Sequence, residues 1–171
     1  MYTLRDSSIT LASFADFCSN LSAFDKTTWQ FDLATGLLTN KLYADTNGTA
    51  YAYTPEGRLS TRTWARLNPG TGSQLAALYS YTNTTGELIG IDYSDSTPDV
   101  AFVMDRLGRQ VRISDGQGSR DFGYDEYLAL VSETLTVGTQ SNVLARSYDS
   151  QGRQNGLTET SVSYHVNYGF D

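Results

Sequence analysis

The chain has 171 residues, with 12 lysines and arginines against 19 aspartates and glutamates, for a net charge of −7. That balance, with no basic cluster anywhere, excludes a surface that tracks nucleic-acid phosphates. A single cysteine, Cys18, excludes an internal disulfide, and with His165 the only histidine there is no donor set for a zinc-type metal site.

Residues 1–28 are the least regular part. Ser8-Ile9-Thr10-Leu11 alternates like a strand, after which Leu11, Phe14, Phe17, Leu21 and Phe24 recur at a helical spacing. The expectation is a strand and then an irregular or helical segment that caps the start of the sheet. Arg5 and Asp6 lead into a run too polar for a signal peptide, and no apolar run approaches the ~20 residues of a spanning helix. The chain reads as soluble, and Cys18 as a small buried apolar residue.

From residue 29 onward one six-residue pattern recurs. Tyr53-Thr54-Pro55-Glu56-Gly57-Arg58, Met104-Asp105-Arg106-Leu107-Gly108-Arg109 and Tyr148-Asp149-Ser150-Gln151-Gly152-Arg153 share one spacing. Phe31-Asp32-Leu33-Ala34-Thr35-Gly36 and Tyr81-Thr82-Asn83-Thr84-Thr85-Gly86 carry one more turn residue. Tyr124-Asp125-Glu126-Tyr127-Leu128 is a weaker copy with Leu128 in the glycine slot. Each reads as a tight turn. An Asp or Thr oxygen caps the backbone two residues on. Pro55 stands where a type I turn wants φ fixed near −65°. Gly36, Gly57, Gly86, Gly108 and Gly152 stand where a hairpin wants positive φ. The aromatic ends one strand, and Arg58, Arg109 or Arg153 opens the next.

Turn glycines 36, 57, 86 and 108 stand 21, 29 and 22 residues apart, and the unit is therefore about twenty residues, two strands and two turns. The return connections Asp45–Gly48, Ser94–Asp99 and Asp115–Gly118 are short and turn-rich, whereas Asn68–Gly72 and Val137–Ser141 are longer. Between turns the period is two. Tyr51 and Tyr53 share a face opposite Ala50 and Ala52; Val100, Phe102 and Met104 oppose Ala101 and Val103. Tyr79 and Tyr81 again fall together. The predicted fold is all-β: antiparallel β-hairpin repeats of about twenty residues in a curved or spiralling meander. Residues 1–28 form the capping segment, 29–160 the hairpin array and 161–171 a C-terminal strand and tail.

Repeats with an aromatic-Asp turn, a following Gly-Arg and this period resemble the YD-repeat, or Rhs-repeat, family. Ala52-Tyr53-Thr54-Pro55-Glu56-Gly57-Arg58-Leu59 and Asp105-Arg106-Leu107-Gly108-Arg109 carry the resemblance most clearly, and it extends over roughly residues 27–155. Leu128 in the glycine slot, and Leu37 and Glu87 in place of Arg, depart from the pattern and suggest local variation in turn geometry. The resemblance implies a section of an Rhs-type shell, in which such hairpins join edge to edge around a toxic C-terminal segment. Teneurins are similar in carrying such repeats outside the cell. Six units are far fewer than a closed shell holds. The self-cleaving site of such shells carries an Asp-Pro-x-Gly motif; no Asp-Pro occurs here, and no protease residue is carried over.

Catalysis has little to work with. Asp32, Asp105, Asp125 and Asp149 are each explained as turn caps, which leaves no dedicated acid and base pair for glycoside hydrolysis. Cys18 has no basic neighbour in sequence, and a triad lacks a second histidine. An EF-hand reading of Asp45–Glu56 fails at Ala50, where Gly is needed. Gly116-Gln117-Gly118 joins two strands and precedes no helix, unlike a phosphate loop. The arginines after the turns are expected to bond the capping Asp and to pack on an aromatic face.

These readings lead to a non-catalytic structural repeat module without cofactor or metal, part of a β-shell that encloses a toxin or other cargo. The alternative is an adhesion module that binds glycans or a protein receptor through exposed Tyr and Asp. Expected partners are neighbouring repeats, further copies of the chain or an enclosed toxin segment. Neither nucleic acid nor a membrane-spanning segment is expected. The resemblance implies a secreted or cell-surface location.

Overall fold

A computed structural model describes residues 2–4 and 24–170. The strand expected at Ser8–Leu11, the helical spacing from Leu11 to Leu21 and Cys18 lie outside the described residues. The chain divides into two compact units, Met1–Leu78 and Tyr79–Asp171.

In the first unit β1 (Tyr2–Leu4) pairs antiparallel with β2 (Phe24–Lys26). Then β3 (Thr28–Phe31), β4 (Leu38–Leu42), β5 (Gly48–Tyr53), β6 (Leu59–Leu67) and β7 (Gln74–Tyr81) come in turn, each antiparallel to its successor. The final three residues of β7 belong to the second unit. That unit continues with β8 (Leu88–Tyr93), β9 (Val100–Met104), β10 (Gln110–Ser114) and β11 (Gly118–Tyr124). It ends with β12 (Leu130–Val137), β13 (Gln140–Tyr148), β14 (Gln154–Glu159) and β15 (Tyr164–Asn167), again each paired with the next. No helix occurs among the described residues. The protein is all-β, an antiparallel meander of hairpins.

Alternation of side chains across each strand sets what is covered. Tyr51 and Tyr53 are half-buried while Ala50 and Ala52 are exposed; Val100, Phe102 and Met104 are half-buried while Ala101 and Val103 are exposed. Among the described residues only Thr49, Leu75, Ala77 and Gly156 are buried. Ala77 lies in a cross-strand row with Arg62 and Tyr51. The Arg62 guanidinium sits 5.3 Å from the centroid of the Trp64 ring. Long amphipathic side chains thus roof a small one, which lets a sheet bury residues under its own side chains.

Because consecutive strands are antiparallel, every second turn falls on the same rim of its sheet. In the second unit the Asp105, Asp125 and Asp149 turns share one rim, and in the first the Asp32 and Thr54 turns do.

Candidate functional site: the rim turns and the tyrosine latches

The rim turns obey one hydrogen-bond scheme. In the Thr54 turn, Gly57 N–H donates to Thr54 C=O at 2.9 Å and Thr54 N–H to Arg58 C=O at 2.7 Å. The Asp105, Asp125 and Asp149 turns repeat both bonds, the former from Gly108, Leu128 and Gly152 at 3.1, 3.1 and 3.0 Å. This is a type I turn closed by a residue at positive φ. The Asp32 and Thr82 turns are one residue longer, with Gly36 and Gly86 donating across four residues at 2.8 and 3.1 Å.

The first turn residue supplies the cap. Asp105 Oδ1 accepts the Leu107 and Arg109 N–H groups at 2.8 and 3.0 Å, and Asp149 Oδ1 those of Gln151 and Arg153, both at 2.9 Å. Asp125 does the same for Tyr127 and Ala129 at 3.0 and 2.9 Å. Asp32 takes the Thr35 N–H and hydroxyl at 2.8 and 2.6 Å. One carboxylate oxygen thereby meets donors that a turn otherwise leaves to water.

Leu128 has φ 69°, against 80°, 76° and 76° at Gly57, Gly108 and Gly152. The expected variation in geometry at this departure does not occur. Leucine is held in the left-handed region by the Asp125 cap, with its side chain 55% exposed.

The second carboxylate oxygen holds the arginine. Asp105 Oδ2 accepts Arg109 Nε at 2.7 Å, and Asp149 Oδ2 accepts Arg153 Nε at 2.8 Å. The Arg109 guanidinium lies 4.2 Å from the Tyr124 ring centroid, on the aromatic of the following hairpin, and that of Arg153 lies 4.4 Å from the Phe170 centroid, in the tail after β15. Arg58 stands between Gly57 and β6, and the cap there is the Thr54 hydroxyl, which accepts Arg58 N–H at 3.3 Å.

A further set of contacts was not legible in the turn pattern. Tyr53 Oη donates to Leu38 C=O at 2.8 Å, Tyr124 Oη to Gln110 C=O at 2.9 Å and Tyr148 Oη to Leu130 C=O at 2.8 Å. Each acceptor stands two residues after the turn glycine, or Leu128, of the preceding hairpin. Their register is common. The ladders β4–β5, β10–β11 and β12–β13 end toward the rim at Asn40↔Ala50, Arg112↔Asp121 and Ser132↔Ala145. In each, the tyrosine lies three residues beyond that last pair on one strand and its acceptor two residues beyond on the other. A bulge beside each acceptor interrupts its own hairpin: the register shifts at Gln30/Phe31, at Gln110/Arg112 and at Gly123/Tyr124. The hydroxyl satisfies a carbonyl that lies past the end of the ladder. Tyrosine rather than phenylalanine in the aromatic slot was the available signal.

Electrostatics derive from these bonds. Accepting the Arg153 N–H, more than any other contact, holds the Asp149 carboxyl below the usual carboxylate range. At Asp105 burial is the largest influence and pushes upward, but the Arg109 N–H and guanidinium with the Leu107 N–H outweigh it and the net shift is downward. The Thr35 hydroxyl, then its N–H, lowers Asp32. Each of these groups is held ionised by its turn, the opposite of what a general acid needs.

Elsewhere Glu133 is flanked by Arg120 at 3.3 Å and Arg146 at 3.1 Å. No cluster of three or more metal-ligating side chains occurs among the described residues. A groove of about 260 Å³, lined by Ile113, Arg120, Leu135 and Val137, lies at the rim away from the aromatic-Asp turns. It falls below the ~300–1,000 Å³ of small-molecule sites and gathers no paired carboxylates. No helix among the described residues is long and apolar enough to cross a membrane.

No protein-family profile matches the sequence, and no curated protein does. Solved structures do match. The crystal structure of TcdB2-TccC3-TEV aligns over 97% of this chain with TM-score 0.50 and 18% identity. That of TcdB2-TccC3 without its hypervariable C-terminal region aligns over 97% with TM-score 0.51 and 17% identity. The fold is one found in Tc toxin chains. The Photorhabdus luminescens Tc holotoxin pore carrying TccC3-D651A gives TM-score 0.50 at 17% identity over 97% of this chain. In each the chain spans 11% of the matched chain's length. The likeness to Tc toxin chains agrees with the Rhs and Tc-toxin-like resemblance of the turn motifs.

Proposed function

We propose that this chain is wall: a non-catalytic structural repeat module of an Rhs or Tc-toxin-like β-shell, which encloses a toxin or other cargo. The observation that carries this reading is the use made of the chemically capable groups. The carboxylates of Asp105, Asp125 and Asp149 cap turns, the Arg109 and Arg153 guanidiniums pair with the first and last of them, and the Tyr53, Tyr124 and Tyr148 hydroxyls tie one hairpin to the next. These polar groups of the motif serve cohesion of the sheet. The cap segment at 1–28, the array at 29–160 and the tail at 161–171 remain the organisation proposed for it, with a secreted or cell-surface location.

Adhesion through a row of exposed tyrosines has less support. Tyr51, Tyr53, Tyr79 and Tyr81 are half-buried, and the Tyr53 hydroxyl is already committed. Partners of a wall are further strands, supplied by neighbouring repeats or other copies. Light scattering on the isolated chain is expected to show concentration-dependent association above 18.8 kDa. A strict monomer that binds oligosaccharides on a glycan array would overturn the reading in favour of adhesion.

A further inference from the structure

Successive rim hairpins meet along seams, and one seam differs from its neighbours. The β8–β9 ladder consists of two pairs, Gly90↔Ala101 and Ile91↔Val100. Three pairs join β4–β5, three join β10–β11 and six join β12–β13. The register toward the rim is the same as at the latched seams. Three residues beyond the last pair, where the others place Tyr53, Tyr124 and Tyr148, stands Met104. Two residues beyond it on β8, in the acceptor position, stands Leu88. Methionine has no hydroxyl to give the Leu88 carbonyl.

The arginine stack of the β10–β11 seam is missing here, as it is at β4–β5 and β12–β13, where Leu37 and Ala129 follow the turn. Position 87 comes directly after the turn glycine, where Arg109 precedes its stack on Tyr124, and it holds Glu87. That carboxylate accepts the Thr85 hydroxyl at 2.6 Å within its own turn. A Cβ on Gly108 would come within 2.9 Å of the other Glu87 oxygen, so the acid reaches over the next turn. Gly90, in the middle of β8, contributes no side chain to the cross-strand pairing. The shortest of these four ladders, a glycine within it and no latch coincide.

We propose that the β8–β9 seam is the line along which this sheet parts, a built-in opening between the Thr82 and Asp105 hairpins. Local opening is drawn from the segments with fewest contacts, and here the tyrosine latch that the other three seams retain at the same register is absent. The inference uses the wall reading only for its consequence, a place where a shell yields first. Opening itself is measured without reference to cargo or partner.

Hydrogen exchange read by mass spectrometry tests it on the full chain. Amides of 88–93 and 100–104 should exchange at least about tenfold faster than those of β12–β13. Met104→Tyr restores a hydroxyl at the latch register and should slow β8–β9 exchange by about 2–10-fold, the range of one net hydrogen bond. The reciprocal Tyr124→Met should speed exchange in β10–β11 by a similar factor. Should Met104→Tyr fail to fold, the wild-type pattern and Tyr124→Met still decide. Equal protection of β8–β9 and β12–β13 in the wild type overturns the proposal, as does unchanged β8–β9 exchange in a folded Met104→Tyr. Failure of the wall reading would appear in light scattering and glycan binding, leaving these rates untouched.

Discussion

The turns at Asp105–Gly108 and Asp125–Leu128 lie on the same rim, and they share every main-chain bond and both capping bonds. One closes with glycine at φ 76° and the other with leucine at φ 69°. A left-handed leucine costs about 1–2 kcal/mol, yet the turn does not change type. Glycine is therefore not required for this geometry and only relieves its strain. The residues just before the return strands differ as well. Arg109 pairs with Asp105 and stacks on Tyr124, whereas Ala129 can do neither, and yet Tyr124 and Tyr148 latch equally well. Cap, cation and hydroxyl are separable parts.

That separation makes predictions. Asp105→Ala removes the acceptor of two N–H groups and the partner of a guanidinium at once, and should lower the melting temperature more than any other change in this turn. If Gly108→Ala proved worse, the ranking of cap over glycine would fail. Gly108→Ala should cost about 1–2 kcal/mol in denaturant unfolding, from a side chain forced into the left-handed region. Tyr124→Phe deletes one hydroxyl bond at a carbonyl past the ladder's end, and should cost about 0.5–1.5 kcal/mol while leaving the Arg109 stack. Leu128→Gly should gain about 0.5–1 kcal/mol, the relieved strain less the entropy glycine adds to the unfolded chain. No gain there would mean that Leu128 compensates its backbone through contacts of its own.

The smallest effect is acid sensitivity. Asp149 is lowered in the folded state, so its contribution is present above the unfolded carboxylate pKa and is lost as pH falls through the folded one. Thermal unfolding between pH 7 and pH 2.5 should show this loss at the acid end. Asp149→Asn should be less stable at neutral pH and show a shallower acid slope. An unchanged slope would assign the acid sensitivity to the other lowered carboxylates, Asp32, Asp45, Glu56, Asp105, Asp121 and Glu159.

The hairpins and their turns were legible because everything that specifies them is local. An Asp or Thr, a residue tolerant of positive φ and a period of two lie within one short window, and the backbone has few ways to satisfy them. Chain order then fixes the antiparallel meander, since each strand finds its partner across a short turn. The links between hairpins were not legible. Whether Tyr124 reaches Gln110, or Met104 leaves Leu88 without a hydroxyl, depends on where a ladder stops and where a bulge shifts the register, and those are decided between strands. Sequence alone determined a ribbon that folds back at each rim turn. Tertiary structure decided which seams are tied, because a side-chain hydroxyl can satisfy a carbonyl only once pairing has set the two side by side.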